Sequence, residues 1–122
     1  MSCFFTIAET DVWNPANRVA QLFTQQAWAM SSVLDIDSGV PPIVDDECVL
    51  DPTLFPDFVV ALTRKHEGFD HGPLSALLEG FIGVCWVLLD RGGNTGKLLA
   101  LGSGTRKFWT EHTTELARSM PR

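Results

Sequence analysis

The most apolar stretch of the sequence, Pro73 to Asp90, sets the strongest limit on how the chain can fold. Large aliphatic and aromatic side chains recur along it, and Glu79 is the one carboxylate before its last residue. A helix that is apolar on most of its sides has to be buried on most of its sides. We therefore predict a central helix over residues 73–90, around which the other elements pack.

The same stretch bears on where the chain resides. A membrane span needs about 20 consecutive apolar residues, and this shorter stretch contains Glu79, Gly80 and Gly83. The N-terminus lacks a basic region followed by a long apolar run, so we expect no signal peptide. The three widely spaced cysteines are typical of free buried thiols in a reducing compartment. These features predict a cytoplasmic protein that does not enter a membrane.

Size and charge narrow the class of protein. The chain has 122 residues, 45% of them apolar, which predicts a single globular domain over 1–122. Its formal net charge is −6. Binding to phosphate groups relies on clustered lysine and arginine, but the basic residues here occur at most in pairs such as Arg64-Lys65 and Arg106-Lys107. We therefore expect an acidic protein with no nucleic-acid partner.

Two short runs of β-branched and aromatic residues predict strands. One lies between Met1 and Ile7, and the other is Glu47–Leu50. Lys97–Leu101 stays open between a third strand and an irregular packed segment. We expect these strands to form a small antiparallel sheet of two or three strands, which needs helix packing to be stable.

Helix starts are predicted where a capping side chain precedes a proline, at Asn14-Pro15 and at Asp51-Pro52. The first helix repeats apolar residues at steps of three and four, which indicates one buried face. That predicted face contains Val19, Leu22, Phe23, Ala27, Met30 and Leu34. With a second helix to about His66 and a last one to Met120, the fold class is α+β, with about four helices.

Glycine-rich segments after the central stretch do not complete a cofactor motif. A P-loop requires Gly-Lys followed by Ser or Thr, whereas Gly96-Lys97 is followed by Leu98. A dinucleotide fingerprint beginning at Gly102 would require glycine where the chain has Lys107. Two ordinary turns explain these glycines, and we expect no cofactor.

Titratable residues gather just before the central stretch. His66, Glu67, Asp70 and His71 could form a metal site or an acid–base pair. Their spacing matches no helical metal motif, and the alternative is a polar turn with His66 near a helix C-terminus. We therefore predict no metal and keep His66 and His71 as candidate catalytic residues.

Glu79 is the third candidate catalytic residue. A carboxylate directed into an apolar environment has a raised pKa unless a cation meets it, and such a group can act as a general base. We expect it in an apolar pocket lined by Trp13, Phe81 and Trp86. The alternatives are a solvent-facing position or an ion pair, for which the candidate partners are Arg18, Arg64 and His112.

Two further features point to contacts with a partner. Trp28 lies at the edge of the predicted apolar face of the first helix, and an exposed tryptophan is a natural interface residue. Asp46 and Glu47 belong to an acidic region that could bind a basic surface, although the spacing does not fit a calcium loop. The alternative for the acidic residues is a solvated loop.

Parts of the chain resemble a family of small uncharacterised proteins from actinobacteria. The segments concerned are Val12-Trp-Asn-Pro-Ala-Asn-Arg-Val-Ala-Gln-Leu-Phe23, Asp46-Glu-Cys48, Asp51-Pro52 and Leu77-Leu-Glu-Gly-Phe81. The resemblance covers residues 1–90. It implies a single-domain bacterial cytoplasmic protein, and it implies no activity and no catalytic residues.

Two functional hypotheses follow. The first is a non-enzymatic interaction protein, immunity-like or regulatory, that forms a homodimer or binds another protein. The second is a cofactor-independent enzyme or a binder of a small apolar ligand, of the kind used in secondary metabolism, with Glu79 as its central group. An open apolar pocket that reaches Glu79 would favour the second hypothesis.

Overall fold

The computed structural model describes residues 1–68 and 72–122. In those residues it contains three strands, five α-helices and one short 3₁₀ helix. The predicted α+β class is confirmed. The elements in chain order are β1 (Phe4–Ile7), β2 (Thr10–Trp13), α1 (Asn17–Leu34), β3 (Glu47–Leu50), α2 (Leu54–Gly68), α3 (Gly72–Arg91), the 3₁₀ helix (Gly96–Ala100), α4 (Ser103–His112) and α5 (Thr114–Arg118).

The three strands form one mixed sheet in the order β2-β1-β3. β1 and β2 are antiparallel, whereas β1 and β3 are parallel, with Phe4 opposite Glu47 and Ile7 opposite Leu50. The prediction of a purely antiparallel sheet is therefore wrong. The reason is the long connection through α1, because a crossover of that length lets β3 return in the same direction as β1.

β2 is a strand that the sequence did not suggest. The polar run Ala8-Glu9-Thr10-Asp11 indicated the end of β1, but Ala8 and Glu9 form a tight turn with φ of 47° and 69°. Positive φ at both central residues is the geometry that joins antiparallel strands by a two-residue loop. The chain therefore reverses at once, and Val12 and Trp13 enter the core from β2.

The predicted central helix is α3, which begins one residue before the predicted stretch and ends one residue after it. It packs against α2, α4, α5 and β2. The side chains that it buries are Leu78, Phe81, Ile82, Cys85, Trp86, Val87, Leu88 and Leu89. Each large apolar side chain buried in this way contributes about 1.5–3 kcal/mol to folding, so α3 supplies a large share of the core.

With its 20 residues α3 is longer than the predicted stretch, and its length and mean hydropathy of 1.7 are sufficient to cross a membrane. It is the one helix of the described residues that passes this test. The core helix of a soluble protein can pass the same test, so these properties alone assign no location.

Of the two predicted helix caps, one is confirmed and one is wrong. Asp51 does cap α2, because its Oδ1 accepts hydrogen bonds from the backbone N–H groups of Thr53 and Leu54, both at 2.8 Å. Asn14 does not cap α1, which begins three residues later. Instead the Asn14 N–H donates to the carbonyl oxygen of Pro121 at 2.8 Å, which ties the C-terminal residues to the start of α1.

In the C-terminal third one open alternative is decided and one prediction is wrong. Gly96–Ala100 is a 3₁₀ helix, so Lys97–Leu101 is a packed segment and not a third strand. The expected single last helix is divided into α4 and α5 at Thr113. The Thr113 side-chain hydroxyl donates to the carbonyl oxygen of Trp109 at 2.8 Å. This division brings α5 against α3.

Candidate functional site

α1 has one buried face and one exposed apolar face. The residues that it buries are Ala20, Phe23, Thr24 and Ala27. Along a different face, steps of three and four place five exposed residues in line, namely Val19, Leu22, Gln26, Ala29 and Val33. We call these five residues the α1 stripe. The prediction that Val19 and Leu22 are buried is wrong, since they are 46% and 57% exposed.

A groove lies beside the N-terminal half of the α1 stripe. It has a volume of about 350 Å³ and lies between α1, α3 and the C-terminal segment. Its lining includes Val19, Leu22, Phe81, Val84, Leu116 and Met120. We call it the α1 groove. Val19, Leu22 and Gln26 belong to both features, so the groove and the stripe form one continuous, largely apolar surface.

Aromatic rings form the base of the α1 groove. The Trp13 and Phe23 ring centroids are 5.6 Å apart, and those of Phe23 and Phe81 are 5.0 Å apart. Phe5, which is fully buried, adds a further ring contact to Trp13 with a centroid distance of 5.2 Å. Tilted rings at these distances attract each other beyond simple burial of area. The base of the groove is therefore a packed and ordered surface.

Trp13 and Phe81, both predicted to contact a ligand, line this groove, but Trp86 does not. Trp86 stacks on Trp109 with a centroid distance of 6.2 Å, and its indole N–H donates to Thr63 Oγ1 at 3.2 Å. The expected single pocket lined by Trp13, Phe81 and Trp86 is therefore absent from the described residues. The physical reason is helical spacing, since five residues along a helix separate two side chains by about 140°.

Glu79 lies outside the apolar pocket that the sequence suggested. Its side chain is 38% exposed, and its Oε1 lies 3.9 Å from Nε2 of His66. The cation candidates Arg18, Arg64 and His112 are not its ion-pair partners in the described residues. Glu79 also does not line the cavity to which His66 contributes.

The surroundings of His66 do not align a nucleophile. Ser75 Oγ lies 3.0 Å from the same Nε2 that faces Glu79. In an activated serine, the hydroxyl and the carboxylate bind opposite ring nitrogens of the histidine. Here both groups meet one nitrogen, so the arrangement joins α2 to α3 without forming a proton relay. The remaining candidate catalytic residue, His71, lies outside the described residues.

The predicted partner-binding residues Trp28 and Asp46 lie together at a second cavity. This cavity has a volume of about 470 Å³, and its lining also includes Asn17, Gln21 and Gln25. The Trp28 indole N–H donates to the carbonyl oxygen of Val40 at 2.9 Å, so the ring is fixed although it is 41% exposed. The polar residues at its rim and the hydrogen-bonded indole of Trp28 distinguish this cavity from the α1 groove.

Glu47, the last predicted partner-binding residue, is exposed at the start of β3 and does not line the cavity that contains Trp28. The preceding pair Asp45-Asp46 forms a tight turn with φ of 51° and 60°. The backbone of Val44 and Glu47 closes this turn with two hydrogen bonds of 3.0 Å. Asp46 and Glu47 therefore present their carboxylates from different positions of one turn.

The exposure of Val19, Leu22 and Val33 was not predicted from the sequence. A signal for it was present, because α1 carries two apolar stripes and no residue between Arg18 and Asp35 is charged, so charge marks neither stripe as the exposed one. The α1 stripe thus resembles a second buried face. The residues that fill the true buried face include small or polar ones, Ala20 and Thr24, which gave that face the weaker signal.

The fold and this surface define a small α+β protein with an exposed apolar helix face. The family model of DUF6086, a family of unknown function, matches residues 1–122, so the chain belongs to that family. No curated protein matches the chain. No solved structure matches it either.

Proposed function

We propose that this protein is a small interaction protein that binds another polypeptide through the α1 stripe and the α1 groove. The observation that carries this proposal is the exposure of Val19, Leu22 and Val33 in line on one helix. Contiguous apolar surface of this kind marks sites where proteins bind one another. An amphipathic helix laid along such a surface would bury side chains at the same steps of three and four.

We further propose that a second copy of the chain occupies this surface. Each copy has a net charge of −6, so two copies repel each other over most of their surfaces. Between Arg18 and Asp35 α1 carries no charge, so its exposed face adds no local charge repulsion between two copies. In an antiparallel pair of α1 helices, Arg18 of one copy would lie near Asp35 of the second copy.

Such a pair would have two-fold symmetry, with the same patch on both copies. The α1 stripe is centred on Gln26, which would lie near the two-fold axis opposite its own counterpart. Gln26 is the one polar residue of the stripe, and its amide can both donate and accept a hydrogen bond. Two facing Gln26 side chains could therefore satisfy each other.

Molar mass in solution tests this proposal. Static light scattering on the wild type should give twice 13.5 kDa, and Leu22→Glu should give a monomer because it places a charge in the apolar contact. Gln21→Glu is the matched control, since it adds the same charge to an exposed position of α1 outside the stripe. A monomeric wild type, or a dimeric Leu22→Glu, would contradict self-association through this face.

We also propose a bacterial, cytoplasmic setting, which the resemblance to actinobacterial proteins implies. Cys3, Cys48 and Cys85 support this setting because all three are buried and free. Free thiols in the core are the usual state of cysteine in reducing compartments. Localisation of a tagged chain in an actinobacterial cell, followed by fractionation of cytoplasm and membrane, would test it.

A further inference from the structure

A separate cavity lies on the other side of α3, between its C-terminal half, the 3₁₀ helix and α4. It has a volume of about 370 Å³, which falls within the range of about 300–1,000 Å³ typical of small-molecule sites. We call it the α3–α4 cavity. None of the residues that line it also lines the α1 groove.

The lining of the α3–α4 cavity is apolar on one side and cationic on the other. Trp86, Val87 and Leu98 contribute buried apolar side chains. Its two cationic residues are Arg91 and Arg106, and Thr95, Thr110 and Thr114 carry hydroxyls. This combination is suited to a ligand with an apolar body and an acidic group.

Arg106 retains hydrogen-bonding capacity toward the cavity. Its Nε–H donates to the carbonyl oxygen of Leu101 at 3.2 Å, which fixes the side chain. Its terminal N–H groups donate to no other described residue, and it forms no ion pair within residues 1–68 and 72–122. A guanidinium group that is held at one end and free at the other can bind an oxyanion through two parallel hydrogen bonds.

Arg91 adds positive charge, and no carboxylate among residues 1–68 and 72–122 forms an ion pair with it. Its terminal N–H groups donate to the carbonyl oxygens of Val12, Ala117 and Met120 at 2.8–3.0 Å. Burial lowers the pKa of Arg91, and the nearby Arg122 lowers it further, while Asp90 opposes both effects. Arginine nevertheless stays charged at neutral pH, so Arg91 adds to the positive potential that an anion in the cavity would meet.

The balance of charge in this cavity is opposite to that of the whole chain. Two arginines and one acidic residue, Asp90, line it, whereas the chain carries a net charge of −6. Averaged over the rest of the surface, an approaching anion is repelled by the net negative charge of the chain. The cavity is therefore a local place of attraction for a negatively charged ligand.

We propose that the α3–α4 cavity binds a small organic anion whose acidic group meets Arg106 beside Arg91 and whose apolar body covers Trp86 and Leu98. The acidic group can be a carboxylate, a sulfonate or a phosphate. Each of these groups has at least two oxygens that can accept hydrogen bonds from a guanidinium group. Inorganic phosphate alone would leave the apolar side of the cavity unfilled. This site is independent of self-association through α1.

A pair of fluorescent probes tests the proposal. Anilinonaphthalene sulfonate carries an aromatic body with one anionic group, and N-phenylnaphthylamine carries the same body without the charge. The wild type should bind the sulfonate probe at one site per chain and the neutral probe about tenfold more weakly. Arg106→Gln should weaken the sulfonate probe about tenfold, because one charge-assisted contact is lost, and should leave the neutral probe unchanged.

Two variants serve as controls. Lys107→Gln removes a neighbouring exposed charge outside the cavity and should leave the affinity unchanged. Leu22→Glu should also leave it unchanged, because Leu22 lines the α1 groove and not this cavity. If Leu22→Glu weakens the sulfonate probe while Arg106→Gln does not, the probe binds the α1 groove and the proposal is overturned.

A measurement on the wild type alone covers the case in which Arg106→Gln does not fold. Raising salt from about 0.05 M to 0.5 M screens a guanidinium–sulfonate contact. It should therefore weaken the sulfonate probe severalfold without weakening the neutral probe. Equal responses of the two probes to salt would overturn the proposal, whatever the oligomeric state of the chain.

Discussion

Phe23 of α1 and Phe81 of α3 meet with their ring centroids 5.0 Å apart. Through this contact the first helix is held against the central helix while its neighbouring apolar face stays exposed. Phe23 is 4% exposed, and Leu22, one residue earlier, is 57% exposed. Phe23 therefore stabilises the fold, whereas Leu22 is available to bind a partner.

This separation predicts different effects for two substitutions on α1. Phe23→Ala should lower the free energy of unfolding by about 3–5 kcal/mol, because it leaves a cavity among packed rings. Leu22→Ala should change it by no more than about 0.5 kcal/mol, yet it should weaken self-association. Urea unfolding measures the free energy of unfolding of both variants. The protein concentration should be low enough for a weak dimer to dissociate. Similar losses in the two variants would contradict the structure of α1.

Glu79 is predicted to contribute little to stability. Its contact with His66 is long, at 3.9 Å, and its side chain is 38% exposed. Ion pairs of this exposure contribute at most about 1 kcal/mol, so Glu79→Gln should alter the free energy of unfolding by less than that. Glu111→Gln, at an exposed position of α4, is the matched control. A loss of several kcal/mol for Glu79→Gln alone would show that Glu79 is a buried charge.

Asp51 predicts a specific dependence of stability on pH. Backbone hydrogen bonds from Leu54 and Thr53 lower the pKa of Asp51 below its ordinary value of 3.8. A lowered pKa in the folded state means that the ionised group stabilises the fold above the unfolded pKa. This stabilisation is lost as the pH falls through the folded pKa.

The variant Asp51→Asn isolates this effect, since asparagine can still cap a helix but does not titrate. The difference in unfolding free energy between the wild type and Asp51→Asn should be constant near neutral pH. It should then shrink as the pH falls below about 4. A difference that grows with acidity would contradict the cap that the structure shows.

The three cysteines should be unreactive in the folded protein. Burial raises the pKa of Cys48 to about 12, and burial also raises the pKa values of Cys3 and Cys85. Only the thiolate reacts readily with disulfide reagents. Ellman's reagent should therefore modify the native protein very slowly and should release three equivalents when the protein is unfolded in urea. Fast modification of any one thiol in the native state would contradict the predicted burial.

Much of the fold could be read from local patterns. The central helix follows from the density of apolar residues between Pro73 and Asp90, because such a helix has no stable exposed arrangement in water. The cap at Asp51 follows from local chemistry, since its side chain binds backbone groups only two and three residues away. Neither feature depends on how distant parts of the chain meet.

The features that could not be predicted depend on distant contacts. The direction in which β3 pairs with β1 is set by the whole connection between them, and no residue of either strand encodes it. The failed cap at Asn14 has the same origin, because its backbone is bound to Pro121 at the far end of the chain. Local preferences are overridden where such a contact fixes the backbone.

The candidate site was predicted only in part for the same reason. Trp13 and Phe81 do line one groove, but periodicity alone could not decide which of the two apolar stripes of α1 faces the core. Trp86 could have been separated from Phe81 at once, since their spacing of five residues places them on different sides of a helix. The contact between His66 and Glu79 could not be predicted, because it requires α2 and α3 to pack together.

The most direct test of self-association through α1 is a cross-link at the centre of the α1 stripe. In an antiparallel pair of α1 helices, Gln26→Cys places two thiols opposite each other near the two-fold axis. Under mild oxidation this variant should form a disulfide-linked species of twice 13.5 kDa on a non-reducing gel, and Gln21→Cys should remain a single chain. A monomeric Gln26→Cys together with a cross-linked Gln21→Cys would contradict this arrangement.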